Sequence, residues 1–338
     1  MDDLDDIVSN ASSKHILGAS WQPYKEGFVT AFRSVYGALE WRSCLQHKFF
    51  LPDESNYSDE RYFQSAAELT VSNHVLLQSV VGFTPDKNVN PTNKRNVDTY
   101  FRLGPTIVAI EVKCPVEPKP EVPPTTKPVI LLKTAGRIPN HDNELTGLKE
   151  KIEASGAAVA LMGKNKDATH KEYLIAANRK FDPASSVDNL NILFIAGGSW
   201  GDMGDWYMHL YGGQGLFTAE SFHPSSDFRL VDVVILSNLR YWHQHVRDRQ
   251  DWTLKNVFVL PRINPYGRSS RTSDATYGGL SVFDHHLQRF TAFVDVAEDS
   301  NDTDRTLEPR KLHHYVNRSL STEEKARYFP VDLYPLSH

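Results

Sequence analysis

Two β-prone halves flank a tight turn in the run Asn96-VDTYFRLGPTIVAIEV-Lys113. Each half is rich in β-branched and aromatic residues, which favour extended strands. Gly104 supplies the positive φ that a two-residue turn requires at its first central position, and Pro105 suits the second. The run therefore predicts an antiparallel hairpin in which Leu103 and Thr106 flank the turn.

This pairing brings three charged groups together. Asp98 is expected directly opposite Glu111, with Cβ atoms roughly 4.5–5.5 Å apart. Lys113 shares the face of Glu111 because side chains on one face of a strand recur every second residue. Opposed carboxylates repel, so the arrangement favours a bound cation, and Mg²⁺ prefers hard oxygen ligands shared with substrate phosphates. The pattern predicts a Mg²⁺ site, with Mn²⁺ as an alternative.

These residues resemble the PD-(D/E)XK nuclease superfamily, which has an acidic residue at the start of one strand and an acidic-x-Lys triplet on the next. The resemblance implies a restriction-endonuclease-like core over about residues 59–163. It also implies that Asp98, Glu111 and the Val112 carbonyl ligate the metal while Lys113 assists the hydrolytic water. Val97 stands where the family often has proline.

The family often adds a glutamate from a preceding helix, and Glu68 in the helical segment 59–81 is the candidate. Glu68 lies off the main apolar stripe of that segment, so we expect it to be exposed. A literal Pro85-Asp86 pair occurs nearby. Its surroundings are typical of a turn after the helix, and it is not included in the predicted site.

The apolar run 107–112 separates two interpretations of the triplet. A solvated hairpin with an ordinary Glu/Lys face would alternate polar and apolar residues, whereas this run is almost continuously apolar. Such runs are typical of strands covered on both faces. We therefore expect Glu111 at the end of a buried strand in an α/β fold with a central mixed sheet flanked by helices.

Composition excludes several protein classes. The chain has 338 residues, of which 40% are hydrophobic and 23% charged, as in soluble globular proteins. No apolar run approaches the roughly 20 residues needed to span a bilayer, and the acidic start has no apolar signal segment. Cys44 and Cys114 suggest neither a disulfide framework nor a zinc site. We expect an intracellular protein, in cytoplasm or nucleus, with no membrane partner.

A basic and aromatic region offers a nucleic-acid interface despite the net charge of −5. Arginines and aromatic side chains together contact phosphates and stack on bases. A solvated, partly helical face with buried aromatics explains the region equally well. The candidate residues are Arg240, Arg247, Arg249, Arg262, Arg268 and Arg271.

Further elements follow from periodicity. Helices are predicted over 24–50, 59–81 and 143–154, and strands over 129–132, 157–162, 191–196, 230–237, 256–260 and 290–296. We expect a nuclease-like domain over 1–298, including a basic and aromatic extension over about 190–298, and a peripheral arm over 299–338. A capping box at Ser321–Glu324 predicts a short helix in that arm.

Histidines at short spacing offer a rival metal site. His243 and His245 are separated by one residue, while His285-His286 and His313-His314 are adjacent pairs. Imidazoles at such spacing bind Zn²⁺ or Ni²⁺, but structural histidines have the same pattern when no accompanying signature is present.

The sequence therefore predicts a metal-dependent phosphodiesterase acting on nucleic acid, with DNA preferred to RNA by family frequency. The alternative is a non-catalytic nucleic-acid-binding or protein-interaction module that keeps the fold. A homodimer would suit cleavage of both strands of a duplex.

Overall fold

The fold was analysed in a computed structural model of the chain. It describes residues 3–37, 40–115, 129–132, 141–161, 167–184, 186, 189–212, 214–245, 251–268, 278–283 and 320–328. Within them, no helix combines the length and apolar character needed to cross a membrane.

A six-stranded mixed sheet forms the centre, and this confirms the predicted α/β class. Its strand order is β1-β2-β3-β6-β7-β8, with antiparallel pairs at both ends and parallel pairs β3-β6 and β6-β7 between them. A separate pair, β4-β5, is parallel. The strands are β1 (Val81–Asn88), β2 (Asn96–Leu103), β3 (Thr106–Lys113), β4 (Val129–Leu132), β5 (Ala158–Leu161), β6 (Asn189–Ala196), β7 (Val233–Ser237) and β8 (Val259–Ile263).

Helices cover both faces of the sheet. One buried cluster packs α3, α5 and neighbouring helices against one face, and a second packs α7 and α8 against the other. The helices are α1 (Leu4–Ser9), α2 (Ile16–Ala19), α3 (Gln22–Tyr36), α4 (Trp41–Phe49), α5 (Asp59–Leu76), α6 (His141–Ala154), α7 (Asp167–Lys180), α8 (Trp200–Tyr211), α9 (Leu239–His245) and α10 (Thr322–Tyr328).

The predicted hairpin is present in the expected register. Leu103 pairs with Thr106, and Gly104 has the positive φ of 57° that the turn requires. Strand β3 is buried along most of its length, because β6 covers its other edge and helices cover both faces. The continuous apolar run of β3 thus reflects a central position in the sheet.

Two helix predictions need correction. The segment 24–50 forms two helices, because α3 ends at Tyr36 and is followed by Gly37, where the missing side chain lowers helix propensity. Helix α5 begins at Asp59 as predicted, with Ser58 as its N-cap, but it ends at Leu76. Ser79 then takes a left-handed φ of 56° that leads into β1.

The segment around Pro85-Asp86 was also wrongly predicted. It forms part of β1, in which Pro85 pairs with Thr99, instead of a turn. Proline is tolerated here because β1 is an edge strand and need not donate a hydrogen bond on its open side.

Strand pairings beyond Lys113 differ from the expected core. Segments 129–132 and 158–161 pair with each other and not with β3, whose partners are β2 and β6. The strands predicted at 191–196, 230–237 and 256–260 appear as β6, β7 and β8, with β8 displaced toward the C-terminus. The strand predicted at 290–296 lies outside the described residues.

The predicted capping box begins α10. Ser321 Oγ accepts from the Glu324 amide at 3.2 Å, and the Ser321 amide donates to Glu324 Oε2 at 2.9 Å. Leu320 and Tyr328 at either end of this segment are buried in the cluster on the α7 and α8 face.

Candidate active site

Three carboxylates form a row across the first three strands. Asp86 lies between two residues of β1 that pair with Thr99 and Val97, so the register places it opposite Asp98. The pairing of Thr99 with Ile110 likewise places Asp98 opposite Glu111. Directly opposed like charges destabilise a sheet, which marks this row as unusual.

Glu68 joins the row from α5. One carboxylate oxygen from each of Glu68, Asp86 and Asp98 lies within 4.8 Å of the others. Asp86 contributes from a left-handed backbone with φ 52°, a conformation that aspartate tolerates better than most residues. Three hard oxygen donors from a helix and two strands therefore converge at one point.

Three lysines surround these acids. Lys48 of α4 contacts Glu68 at 2.6 Å and Asp86 at 2.9 Å. Glu111, whose exposed fraction is 0%, contacts Lys113 through Oε1 and Lys180 through Oε2, each at 2.6 Å. Lys180 lies at the end of α7, so helices from both faces of the sheet reach this edge.

The charges of the cluster are unevenly compensated. Burial, together with the nearby charges of Glu68 and Glu111, raises the pKa of Asp98 well above its usual range. Burial would also raise the pKa of Glu68, but the Lys48 charge and hydrogen bond outweigh it and lower that pKa. Among the described residues, lysines lie within 4 Å of Glu68, Asp86 and Glu111 but not of Asp98.

Lys113 stays protonated in this environment. Burial alone would lower its pKa, but the Glu111 carboxylate outweighs burial, and the pKa is raised. Its side chain is 22% exposed, so part of it reaches solvent at the rim of the cluster. It is suited to hold an anion or water there, and not to act as a neutral base.

Backbone groups fix the end of β3. The Val112 amide donates to Asp98 Oδ2 at 2.6 Å. Gln64 of α5 donates through Nε2 to the Val112 carbonyl at 2.9 Å, and its Oε1 accepts from the Cys114 amide at 2.8 Å. The carbonyl that the resemblance assigns to the metal therefore already accepts one hydrogen bond.

The structure brings Asp98, Glu111, Lys113 and Glu68 together. The expectation of an exposed Glu68 was wrong, since its exposed fraction is 9%. Sequence reasoning omitted Asp86 because the segment was interpreted as a turn. The Pro85-Asp86 pair was itself the available signal. Neither Lys48 nor Lys180 belongs to a local motif.

The three candidate arginines that the structure describes have different surroundings. Arg268 pairs with Asp232 at 2.8 Å, and Arg262 lies over the rings of Tyr207 and Tyr211 at 5.3 and 4.5 Å. Arg240 lies near the acidic cluster, where it donates to the Pro115 carbonyl. Arg247, Arg249 and Arg271 lie outside the described residues.

The histidine alternative finds no support at His243. Its Nδ1 bonds Tyr24 Oη at 2.9 Å and its Nε2 bonds Thr70 Oγ1 at 3.0 Å, so both ring nitrogens have hydroxyl partners. His245 stacks near Tyr241 with ring centroids 4.6 Å apart. The pairs at 285–286 and 313–314 lie outside the described residues.

Comparison of the chain with protein-family models, with curated proteins and with solved structures gives no match. The case for a function therefore depends on the cluster itself.

Proposed function

We propose that the chain is a metal-dependent nuclease that hydrolyses phosphodiester bonds, with DNA preferred to RNA. The observation that carries this proposal is the convergence of Glu68, Asp86 and Asp98 oxygens within 4.8 Å beside Lys113. Like charges at such spacing oppose folding unless a cation or protons relieve them.

The donor set fits Mg²⁺ or Mn²⁺. All three groups are carboxylates, the ligands that these ions prefer. Burial and the nearby charges of Glu68 and Glu111 raise the pKa of Asp98, and a bound cation would oppose that shift. Glu68, Asp86 and Asp98 would hold the ion. When bound, such an ion polarises a phosphoryl oxygen and lowers the pKa of a bound water.

The remaining residues would orient the reacting groups. Lys113, which is protonated and reaches the rim, would hold the attacking water or a non-bridging phosphate oxygen. Glu111 fixes the Lys113 ammonium at 2.6 Å, and Lys180 neutralises its second oxygen. Glu111 thus acts here through Lys113, whereas the resemblance assigns it to the metal.

The same lysines favour a second candidate, the non-catalytic module. Lys48 pairs with two of the acids and Glu111 has two lysine partners, so much of the negative charge is neutralised without a metal. In such a protein the cluster would be structural, and binding would depend on surface arginines.

A cleavage assay separates the two candidates. Wild-type protein, Lys113→Ala and Asp98→Asn are incubated with double-stranded DNA, single-stranded DNA and RNA, in Mg²⁺, Mn²⁺ or EDTA. We expect metal-dependent cleavage by the wild type and a loss of about 100-fold or more in both variants.

Lys87→Ala is the matched control, since Lys87 is an exposed lysine of β1 next to Asp86. It should keep wild-type activity. No cleavage by folded wild-type protein, together with no divalent-ion binding by calorimetry, would leave the non-catalytic module.

A further inference from the structure

Arg240 lies on the same edge of the sheet as the acidic cluster. It belongs to α9, which begins just after the carboxyl end of β7. Its Nη1 donates to the carbonyl of Pro115, two residues beyond Lys113. The guanidinium therefore contacts the chain just beyond the end of β3, where Lys113 is the last residue of the strand.

The Arg240 guanidinium is buried, and it has no anionic partner in the part of the chain that the structure describes. Arg240 is 8% exposed, and among the described residues no carboxylate oxygen lies within 4 Å of it. Its Nε has no hydrogen-bond acceptor in that part of the chain. The Phe63 ring lies 5.8 Å below it and offers no negative charge. Buried charges normally have a counter-charge, so the site lacks an anion.

Asp202 of α8 and Arg240 both lie close to Gly198, and Asp202 is bonded to the backbone. Asp202 Oδ2 accepts from the Gly198 amide at 2.9 Å, and a Cβ built on Gly198 would lie 3.2 Å from that oxygen and 3.6 Å from Arg240 Cδ. Asp202 thus caps the start of α8 beside Arg240 without forming an ion pair with it.

A tyrosine of the neighbouring helix α7 is within electrostatic range of both cations. The half-buried Tyr173 of α7 is close enough to Lys113 and Arg240 for both charges to act on its phenol. Burial raises the pKa of this phenol and outweighs both cations, so the hydroxyl keeps its proton. Two cations and one neutral donor therefore line this edge.

We propose that Arg240 and Tyr173 bind a phosphate of the nucleic-acid strand next to the phosphate that is cleaved. A monoanionic phosphodiester supplies the charge that Arg240 lacks and accepts two parallel hydrogen bonds from a guanidinium. The position of the cleaved phosphate depends on the proposed function, whereas the anion site at Arg240 does not.

The test is the salt dependence of binding by a fluorescent single-stranded DNA 12-mer, measured in EDTA so that the strand stays intact. Each phosphate contact contributes about 0.7 to the slope of log affinity against log salt concentration. We expect Arg240→Met to reduce the slope by about 0.7 and to weaken binding on the order of tenfold. Arg102→Met, an exposed arginine at the turn end of β2, should leave both unchanged.

Two milder variants decide the matter if Arg240→Met does not fold. Arg240→Lys keeps the charge but loses the fork, so affinity should fall while the slope is kept. Tyr173→Phe should weaken binding with the slope unchanged, because only a neutral donor is removed. Wild-type binding by both variants would overturn the phosphate site.

The cleavage assay keeps the two proposals apart. If the wild type cleaves nucleic acid and the salt slope is the same in Arg240→Met, the phosphate site alone is overturned. An Arg240-dependent slope without cleavage supports the phosphate site and overturns the nuclease proposal.

Discussion

The two edges of the central sheet at which its parallel strands begin and end differ in how their carboxylates are paired. At the amino ends of the parallel strands, Asp232 accepts from the Asn191 amide at 2.7 Å and from Arg268 at 2.8 Å, with a second Arg268 contact at 3.3 Å. At the carboxyl ends, the row Asp86, Asp98 and Glu111 places acid against acid. At the first edge, one aspartate is paired with one arginine through two contacts. At the second edge, three acidic residues lie next to one another.

The cations differ as well. Arg268 holds Asp232 through a planar fork with fixed geometry, whereas the cluster has lysines, which are flexible point charges. A fork suits a permanent structural pair. Lysine ammonium groups move aside more readily when a metal or phosphate enters. The comparison therefore contrasts a fork-shaped ion pair, which suits a structural role, with the cluster that we propose binds a metal ion.

The largest expected effect is a difference in unfolding free energy when the same Asp→Asn substitution is made at each edge. Asp232→Asn should cost about 3–5 kcal/mol of unfolding free energy, because it leaves the mostly buried Arg268 without its counter-charge. Asp98→Asn should cost nothing and gain up to about 1 kcal/mol in metal-free protein, since an opposed like charge is removed. Urea unfolding in EDTA measures both.

Asn still accepts the Val112 amide, so Asp98→Asn tests charge and not the hydrogen bond. A loss of several kcal/mol in Asp98→Asn would mean that both edges are structural and would contradict the ligand-binding interpretation.

The second largest expected effect is stabilisation by a divalent ion, which should depend on the acidic cluster and not on Asp232. At a concentration one hundred times its dissociation constant, a ligand that binds only the folded state adds about 2.7 kcal/mol. We expect Mn²⁺ to raise the melting temperature of the wild type and of Asp232→Asn. Glu68→Gln should lose that response because one of three oxygen donors loses its charge.

Calorimetry provides the check on stoichiometry. An equal Mn²⁺ response in Glu68→Gln and the wild type would place the ion away from the cluster.

The pH dependence sharpens the contrast at the cluster itself. The folded-state pKa of Asp98 is raised above its unfolded value of 3.8, so the folded protein holds a proton that the unfolded chain releases. Wild-type stability from this group is present at low pH and is lost as pH rises through the folded-state pKa. In EDTA, the advantage of Asp98→Asn over the wild type should therefore grow as pH rises from about 4.

Unfolding curves at several pH values test the sign. An advantage that shrinks with rising pH would mean that Asp98 is stabilised as a carboxylate, and the charge excess inferred for the cluster would be wrong.

The hairpin was predictable because its information is local. Gly104-Pro105 sets the turn, the turn sets the register, and the register sets Asp98 opposite Glu111. The continuous apolar run of β3 likewise indicated a covered strand. Each of these inferences depends on residues within 18 positions of one another.

The rest of the site depends on contacts between distant segments. Lys48 reaches Asp86 across 38 positions, and Lys180 reaches Glu111 across 69. No periodicity in the sequence links these pairs. Asp86 was lost for a different reason: turn propensity at Pro85 was outweighed by pairing at a sheet edge, where proline is tolerated. Glu68 was misjudged because its burial comes from the sheet edge and Lys48, not from the apolar stripe of α5.

The smallest expected effect is the alkylation rate of Cys114, which reports whether water reaches the chain just beyond the acidic cluster. Burial raises the pKa of this thiol to about 12, although the Arg240 charge opposes the shift. Only the thiolate reacts with iodoacetamide, so at pH 8 a Cys44→Ser variant should be alkylated far more slowly than the same variant in urea. Cys44 is less buried than Cys114, although burial raises its pKa as well. In a Cys114→Ser variant, we therefore expect native Cys44 to be alkylated faster than native Cys114 is in Cys44→Ser. Mass spectrometry of timed samples measures both rates.

Rapid alkylation of native Cys114 would mean that water reaches the segment between Lys113 and Pro115. The Arg240 guanidinium beside that segment would then be hydrated, and its burial would no longer call for an anion.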